Sequence, residues 1–113
     1  MINRLFVYGT LGPGQSHEYL LQAVAGQWQK AFVHGKLYPQ GVGPTRGYPA
    51  VELATDGNKI DGFVYFSRQL PSLWPQLDSY EGKGYKRVVT KARLQNTHVT
   101  NVYIYVLDWP ARS

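Results

Sequence analysis

The sequence predicts an α+β fold in which a small, mixed β-barrel of about six strands is flanked by short helices. Six segments rich in β-branched and aromatic residues are separated by short connections, and two segments of helical spacing interrupt them. Several of these strands are apolar on both sides, which is typical of a barrel or of a sheet covered by helices. The 113 residues suffice for one domain, which we assign to residues 1–113.

The first predicted strand, residues 5–8, runs directly into a glycine-rich turn. Its residues are aliphatic or aromatic and lack helical spacing, which predicts a buried strand. Gly9, Gly12 and Gly14 follow; glycine adopts dihedral angles closed to other residues and lets another group approach closely. Backbone N–H groups in such a turn suit a carboxylate or a carbonyl. From the glycine content alone, an ordinary strand-to-loop turn is the favoured interpretation, and the spacing fits neither a P-loop nor a dinucleotide fingerprint.

A short helix, a strand and a loop are predicted next. Residues 17–24 carry an apolar stripe at helical spacing, with Ser16 placed as the N-cap. Strand formers return over residues 28–38, where Gly35 suggests a β-bulge. Residues 39–49 contain three glycines and three prolines, which predicts an ordered loop and a candidate pocket wall.

The remaining elements are a hairpin, a second helix and a final strand pair. Strands at residues 50–53 and 60–66 are joined through a strong turn signal, Thr55-Asp56-Gly57-Asn58. A helix is predicted over residues 70–81, with Gly82 as its C-terminal stop. Strands at residues 85–94 and 100–107 close the chain as an antiparallel pair.

The chain is basic, with a formal net charge of +5, and its basic residues are clustered. No acid lies between Glu81 and Asp108, which favours either a solvated strand face or an anion-binding stripe in this stretch. The clustered basic residues are Lys83, Lys86, Arg87, Lys91 and Arg93.

Composition excludes several kinds of site. The chain has no cysteine, which excludes disulfides, thiolate metal sites and cysteine nucleophiles. His17, His34 and His98 are too far apart for a metal-binding helix, and the serines lack a nucleophile-elbow context. We find no signal-peptide pattern and no apolar run of membrane-spanning length, so we expect a cytoplasmic protein that neither spans a membrane nor binds a metal.

Glu81 is the candidate general acid/base. It lies at the predicted C-terminus of a helix, where the helix dipole disfavours a carboxylate. In a pocket lined by Leu73, Leu77, Tyr80 and strand aromatics, desolvation would raise its pKa toward neutrality. On composition alone, a surface glutamate is the favoured interpretation of this residue.

Two motifs together closely resemble the gamma-glutamylcyclotransferase-like family, which includes AIG2-like proteins. The first is Tyr8-Gly9-Thr10-Leu11 after an N-terminal strand, and the second is Leu77-Asp78-Ser79-Tyr80-Glu81-Gly82 followed by Tyr85 and Arg87. The resemblance covers nearly the whole chain, because three further segments follow in the expected order. These are Gly47-Tyr48-Pro49-Ala50, Gly62-Phe63-Val64-Tyr65 and the last strand through Tyr105.

The resemblance implies a β-barrel with flanking helices and a cavity at the opening loop. In family members that are enzymes, the turn matching residues 8–11 holds the gamma-glutamyl group through its backbone, and the glutamate matching Glu81 is the general acid/base. Glu81 would take a proton from the α-ammonium group, so that the amine attacks the γ-carbonyl, 5-oxoproline forms and an amine leaves. Neither a metal nor an organic cofactor is implied.

The resemblance also gives the other expected site residues. Arg87 is expected to hold Glu81 or the neighbouring backbone. Two alternatives stay open: a non-catalytic small-molecule-binding domain that uses the same cavity, and a nucleic-acid-binding barrel. The second is disfavoured because most aromatic residues lie in patterns that look buried. The expected substrate-binding residues are Tyr8, Gly9, Thr10, Leu11, Tyr85 and Tyr105.

Overall fold

The computed structural model describes residues 2–109, which form one six-stranded sheet, one α-helix and three short 3-10 turns. Among these residues, no helix has the length and apolar character needed to cross a membrane. The 3-10 turns cover Glu18–Leu20, Gly43–Thr45 and Leu70–Leu73. The strands are β1 (Arg4–Val7), β2 (Gln27–Tyr38), β3 (Ala50–Leu53), β4 (Asn58–Phe66), β5 (Tyr85–Leu94) and β6 (Val99–Leu107), and the helix is α1 (Trp74–Glu81).

The sheet closes into a barrel. Its strand order is β3-β2-β4-β1-β6-β5, and β5 pairs back to β2 where Ala31 faces Leu94 and Phe32 faces Arg93. β1 and β6 are parallel, whereas the other pairs are antiparallel, so the sheet is mixed. The predicted α+β fold, a small mixed barrel with flanking helical segments, is therefore confirmed.

Apolar side chains pack on both sides of the barrel wall. Phe6 of β1 points into a core inside the barrel, where it meets Val64 and Ile104. Its neighbours Leu5 and Val7 point the other way, into a second core under the helical segments. Because successive residues of a strand alternate between faces, β1, β4 and β6 carry apolar residues on both faces along their buried stretches. This is the two-sided pattern that the sequence shows.

The first predicted helix, over residues 17–24, was wrong. Only the 3-10 turn Glu18–Leu20 forms, and Ser16 does not cap it; its Oγ lies 3.1 Å from His17 Nδ1. A short isolated helix is marginal, and here other hydrogen bonds hold the segment. The His17 N–H donates to Thr10 O at 2.9 Å, and Glu18 Oε1 accepts from the Gly14 N–H at 2.9 Å. The segment therefore follows the opening turn rather than its own periodicity.

The second predicted helix forms, but in two parts. A 3-10 turn over Leu70–Leu73 precedes α1, and Pro75 lies in the first turn of α1, where its missing N–H costs nothing. Gly82 ends the helix with φ of +66°. The position of Gly82 confirms the predicted stop, which places Glu81 as the last helical residue.

The β-bulge suggested at Gly35 was also wrong. The register of β2 runs through it without an extra residue, with Gly35 opposite Leu53 on one side and Asn58 on the other. A Cβ at this position would collide with the backbone oxygen of Glu52. Glycine is required here because two backbones approach closely.

Candidate active site

A cavity of about 320 Å³ opens beside the end of β1. The turn after β1 borders one side, and Glu81 at the end of α1 and Tyr85 at the start of β5 border another. The loop over residues 39–49 supplies Pro44, Thr45, Tyr48 and Pro49, as predicted for a pocket wall. All seven predicted site residues line this cavity: Tyr8, Gly9, Thr10, Leu11, Glu81, Tyr85 and Tyr105.

The opening turn presents unoccupied backbone donors. Its carbonyls are used, since Gly9 O accepts from the Gly12 N–H at 3.0 Å and Thr10 O accepts from the His17 N–H. Within residues 2–109, the N–H groups of Gly9, Thr10 and Leu11 have no acceptor. Adjacent free N–H groups favour an anion or a polarised carbonyl oxygen. The turn therefore offers donors for a bound ligand.

The glycines of this turn act in two different ways. Gly14, with φ of +77°, is the member of the predicted trio that adopts the left-handed conformation. Gly9 instead allows close packing, since a Cβ there would lie 3.2 Å from Pro49 Cγ. Special dihedral angles were expected at all three glycines, which was wrong for Gly9 and Gly12.

Glu81 is a half-buried carboxylate at the cavity. It lines the cavity, and within residues 2–109 it has neither an ion pair nor a hydrogen bond. Desolvation by burial raises the pKa of Glu81 to about 7. Such a group exchanges a proton near neutral pH, which suits a general acid/base. Residues 2–109 bring no three histidine or acidic side chains together in a way that could hold a metal ion.

The three predicted tyrosines shape the cavity, and their hydroxyl groups already bind the protein. Tyr8 Oη donates to the Tyr105 carbonyl oxygen at 2.6 Å, and Tyr85 Oη donates to the Pro49 carbonyl oxygen at 2.7 Å. Burial raises the pKa of Tyr85 to about 12 and raises the pKa of Tyr8 and of Tyr105 as well. All three therefore remain neutral at physiological pH, and their rings form walls.

Asp78 was not among the predicted site residues, yet it organises the supporting network. Tyr105 Oη donates to Asp78 Oδ1 at 2.6 Å, and Arg87 binds both carboxylate oxygens, at 2.9 and 3.2 Å. The Arg87 guanidinium also lies over the rings of Trp74, at 4.7 Å, and Tyr103, at 4.4 Å. The hydrogen bond from Arg87 is the main reason that the pKa of Asp78 is lowered.

Arg87 binds a different residue from the one that the sequence predicted. Arg87 was expected to hold Glu81 or the neighbouring backbone. Its guanidinium instead binds Asp78, which lies on α1 three residues before Glu81. Its charge is therefore compensated, and the predicted basic stripe is interrupted at this point. Farther along β5, Arg93 donates to the carbonyl oxygen of Thr97 at 3.0 Å.

Tyr80 lines the cavity as expected, and two further side chains, His17 and Lys83, line it without having been expected there. Tyr80 Oη lies 2.9 Å from Thr10 Oγ1, which connects α1 to the opening turn. The His17 ring packs against the Tyr80 ring with their centres 5.0 Å apart. Leu73 and Leu77, which were also expected around Glu81, do not line the cavity, because they pack into the core under the helical segments. Lys83 was assigned only to a basic run, which does not indicate a cavity.

The raised pKa of Glu81 predicts a pH-dependent cost to stability. Its ordinary pKa is 4.5 and its pKa in the folded protein is about 7, so ionisation increasingly destabilises the fold as the pH rises between these values. The variant Glu81→Gln is neutral and avoids this cost. We expect it to be more stable than the wild type by about 1–3 kcal/mol at pH 8, with the difference shrinking toward pH 4.5. Urea unfolding at both pH values measures this, and a pH-independent difference would contradict it.

Comparison with known proteins agrees with this architecture. The family model described as "Gamma-glutamyl cyclotransferase, AIG2-like" matches residues 5–112. No sequence among the curated proteins matches the chain significantly. Among solved structures, the YkqA protein from Bacillus subtilis is similar, with a TM-score of 0.72 and 24% identity. The match covers 96% of this chain and 37% of the Bacillus chain, so the present chain spans well under half of that protein.

Two mammalian structures share the fold. An AIG2-like protein from Mus musculus has a TM-score of 0.69 and 18% identity over 97% of this chain and 81% of its own. An uncharacterized protein from Homo sapiens has a TM-score of 0.74 and 18% identity over 94% of this chain and 66% of its own. At these identities the structural likeness shows the fold, whereas the family model spans nearly the entire sequence. The chain therefore belongs to the AIG2-like gamma-glutamyl cyclotransferase family.

Proposed function

We propose that this protein is an enzyme that converts a small gamma-glutamyl amide or amine to 5-oxoproline and releases the amine. One observation carries the proposal: the Glu81 carboxylate, which has no partner within residues 2–109 and a pKa near 7, lines the same cavity as the free N–H groups of Gly9 to Leu11. A proton carrier and donors for an oxyanion are the groups that intramolecular acyl transfer requires. Family membership supports the same class of reaction.

In the proposed reaction Glu81 moves protons between two nitrogens. Its carboxylate takes a proton from the substrate's α-ammonium group, and the freed amine attacks the γ-carbonyl carbon. The ring C–N bond forms, the bond to the leaving nitrogen breaks, and the carboxyl group protonates that nitrogen. Of the three ammonium protons, one stays on the lactam nitrogen, and Glu81 carries the other two in succession to the leaving nitrogen, which departs as an ammonium group. Glu81 therefore returns to its ionised state.

The opening turn would stabilise the charged parts of the substrate. The free N–H groups of Gly9, Thr10 and Leu11 can bind either the developing charge on the γ-carbonyl oxygen or the α-carboxylate. Holding the substrate folded back on itself places the amine beside the carbonyl, an orientation effect worth several kcal/mol. Tyr8, Tyr85 and Tyr105 would hold the cavity's shape, because their hydroxyl groups are bonded to the protein.

A pH profile on a panel of gamma-glutamyl amides tests this proposal. Only ionised Glu81 can accept the proton, so kcat/KM for 5-oxoproline release should rise with pH through an apparent pKa of about 7. At pH 6 we expect roughly a tenth of the plateau value. A profile that is flat between pH 5 and pH 8 would exclude Glu81 as the base. If no member of the panel yields product while the protein is folded, the enzymatic proposal is wrong.

A further inference from the structure

Lys83 is a positive charge at the cavity that the proposed reaction does not use. It is exposed and lines the cavity two residues after Glu81. Among the lining residues that the structure describes, Lys83 and Glu81 are the only lysine, arginine, aspartate or glutamate residues. Lys83 makes no ion pair or hydrogen bond within residues 2–109. Its ammonium group is therefore available to a ligand in the cavity.

The backbone around Lys83 is fixed by its surroundings. Gly82 and Gly84 flank it with φ of +66° and +95°, so the chain turns sharply on both sides. A Cβ at Gly84 would lie 2.9 Å from Pro44 Cγ and from Thr45 Cγ2, and both of these residues also line the cavity. The Gly84 carbonyl also accepts from the Asp108 N–H at 2.7 Å. The Lys83 side chain thus starts from a packed segment at the cavity.

Glu81 and Lys83 differ in how far they are buried at the cavity. Glu81 is half-buried, whereas Lys83 is exposed. A substrate whose α-ammonium group meets Glu81 has its gamma-glutamyl end inside, next to the opening turn. The group beyond the scissile bond then lies toward the exposed end of the cavity, where Lys83 is found. The two ends of the substrate therefore meet different charges.

From this arrangement we propose that Lys83 is a specificity-determining residue, which favours substrates whose leaving amine carries a negative charge such as a carboxylate. The inference rests on the proposed function, because that function sets the orientation of the substrate. Neutral leaving amines gain nothing from Lys83. An exposed cation adds only a modest interaction and is screened by salt, so the preference is limited and depends on ionic strength.

Two substrates with the same scissile bond isolate this effect. In gamma-glutamyl-alanine the leaving amine carries a carboxylate, whereas in gamma-glutamyl-alaninamide it carries a neutral amide at the same position. We expect the wild type to favour the acid by about fivefold in kcat/KM at low salt, in keeping with an exposed charge pair. The variant Lys83→Met should lose this preference and leave kcat/KM for the amide nearly unchanged. The matched control is Lys86→Met, because Lys86 is exposed on β5 and does not line the cavity. It should keep the preference, and added salt should reduce it in the wild type.

The outcomes separate this inference from the proposed function. An equal loss for both substrates in Lys83→Met, or an equal rate for both in the wild type, overturns the role of Lys83 while the reaction stands. If no substrate is turned over, binding of the same two compounds to the wild type and to Lys83→Met is measured by calorimetry. Tighter binding of the acid that depends on Lys83 then supports the inference although the reaction is wrong. Binding without that dependence overturns it.

Discussion

Glu81→Gln should remain folded and lose about 10²–10⁴-fold in kcat/KM for 5-oxoproline release, the usual contribution of a positioned general acid/base. Glutamine keeps the shape of the side chain but cannot accept the α-ammonium proton. Since Glu81 has no partner within residues 2–109, the substitution breaks no hydrogen bond or ion pair. The loss should therefore be confined to activity. Initial rates of 5-oxoproline formation measure it, with circular dichroism as the check of folding.

A matched carboxylate elsewhere in the chain provides the control. Glu52 lies on β3, accepts from Tyr38 Oη at 3.3 Å and does not line the cavity. The variant Glu52→Gln should keep an activity within about twofold of the wild type, as for substitutions away from a site. If Glu81→Gln were as active as Glu52→Gln, the acid/base role of Glu81 would be wrong.

Leu77→Ala should destabilise the protein by about 2–5 kcal/mol, the usual range for removing a buried leucine side chain. Leu77 is fully buried on α1, in the core that also contains Leu5 and Leu70. Alanine would leave a cavity between the helix and the barrel wall. Because α1 also carries Asp78 and Glu81, activity should fall with stability. Urea unfolding measures the first effect and 5-oxoproline release the second.

The same substitution at an exposed leucine serves as the control, because it distinguishes the effect of burial from the effect of replacing leucine by alanine. Leu37 on β2 is 41% exposed and belongs to neither core. The variant Leu37→Ala should cost less than about 1 kcal/mol, because it removes little buried surface. Equal costs at Leu77 and Leu37 would contradict the assignment of α1 to a packed core.

The strands could be predicted because packing on both sides of a barrel wall imposes a recognisable pattern of apolar residues. A wall with one core inside and another outside demands apolar residues at both parities, as in β4 and β6. Helical periodicity predicted a helix over residues 17–24 that does not form, because hydrogen bonds with the opening turn determine the conformation there. The sequence pattern also failed at Gly35, because only the pairing of three strands reveals the close approach of Glu52.

The residues that line the candidate site could largely be predicted from the sequence, whereas the hydrogen bonds that support the site could not. Residues 8–11 and Glu81 were found because two motifs resemble those of a known family, and both motifs meet at the cavity. The link between Arg87 and Asp78 depends on how α1 packs across β5, which neither motif specifies. The sequence indicated Lys83 only as one of several clustered basic residues. Its place at the cavity follows from two left-handed glycines and from contact with the loop over residues 39–49.

Product analysis tests the central claim most directly. The wild type is incubated with gamma-glutamyl-alanine, and 5-oxoproline, alanine and free glutamate are quantified by mass spectrometry over time. Cyclisation through the α-amine predicts 5-oxoproline and alanine in equal amounts, without free glutamate. Glutamate and alanine in equal amounts would show that water attacks instead, and the proposed reaction would be wrong. Saturable binding without any product would identify a binding domain that retains the cavity.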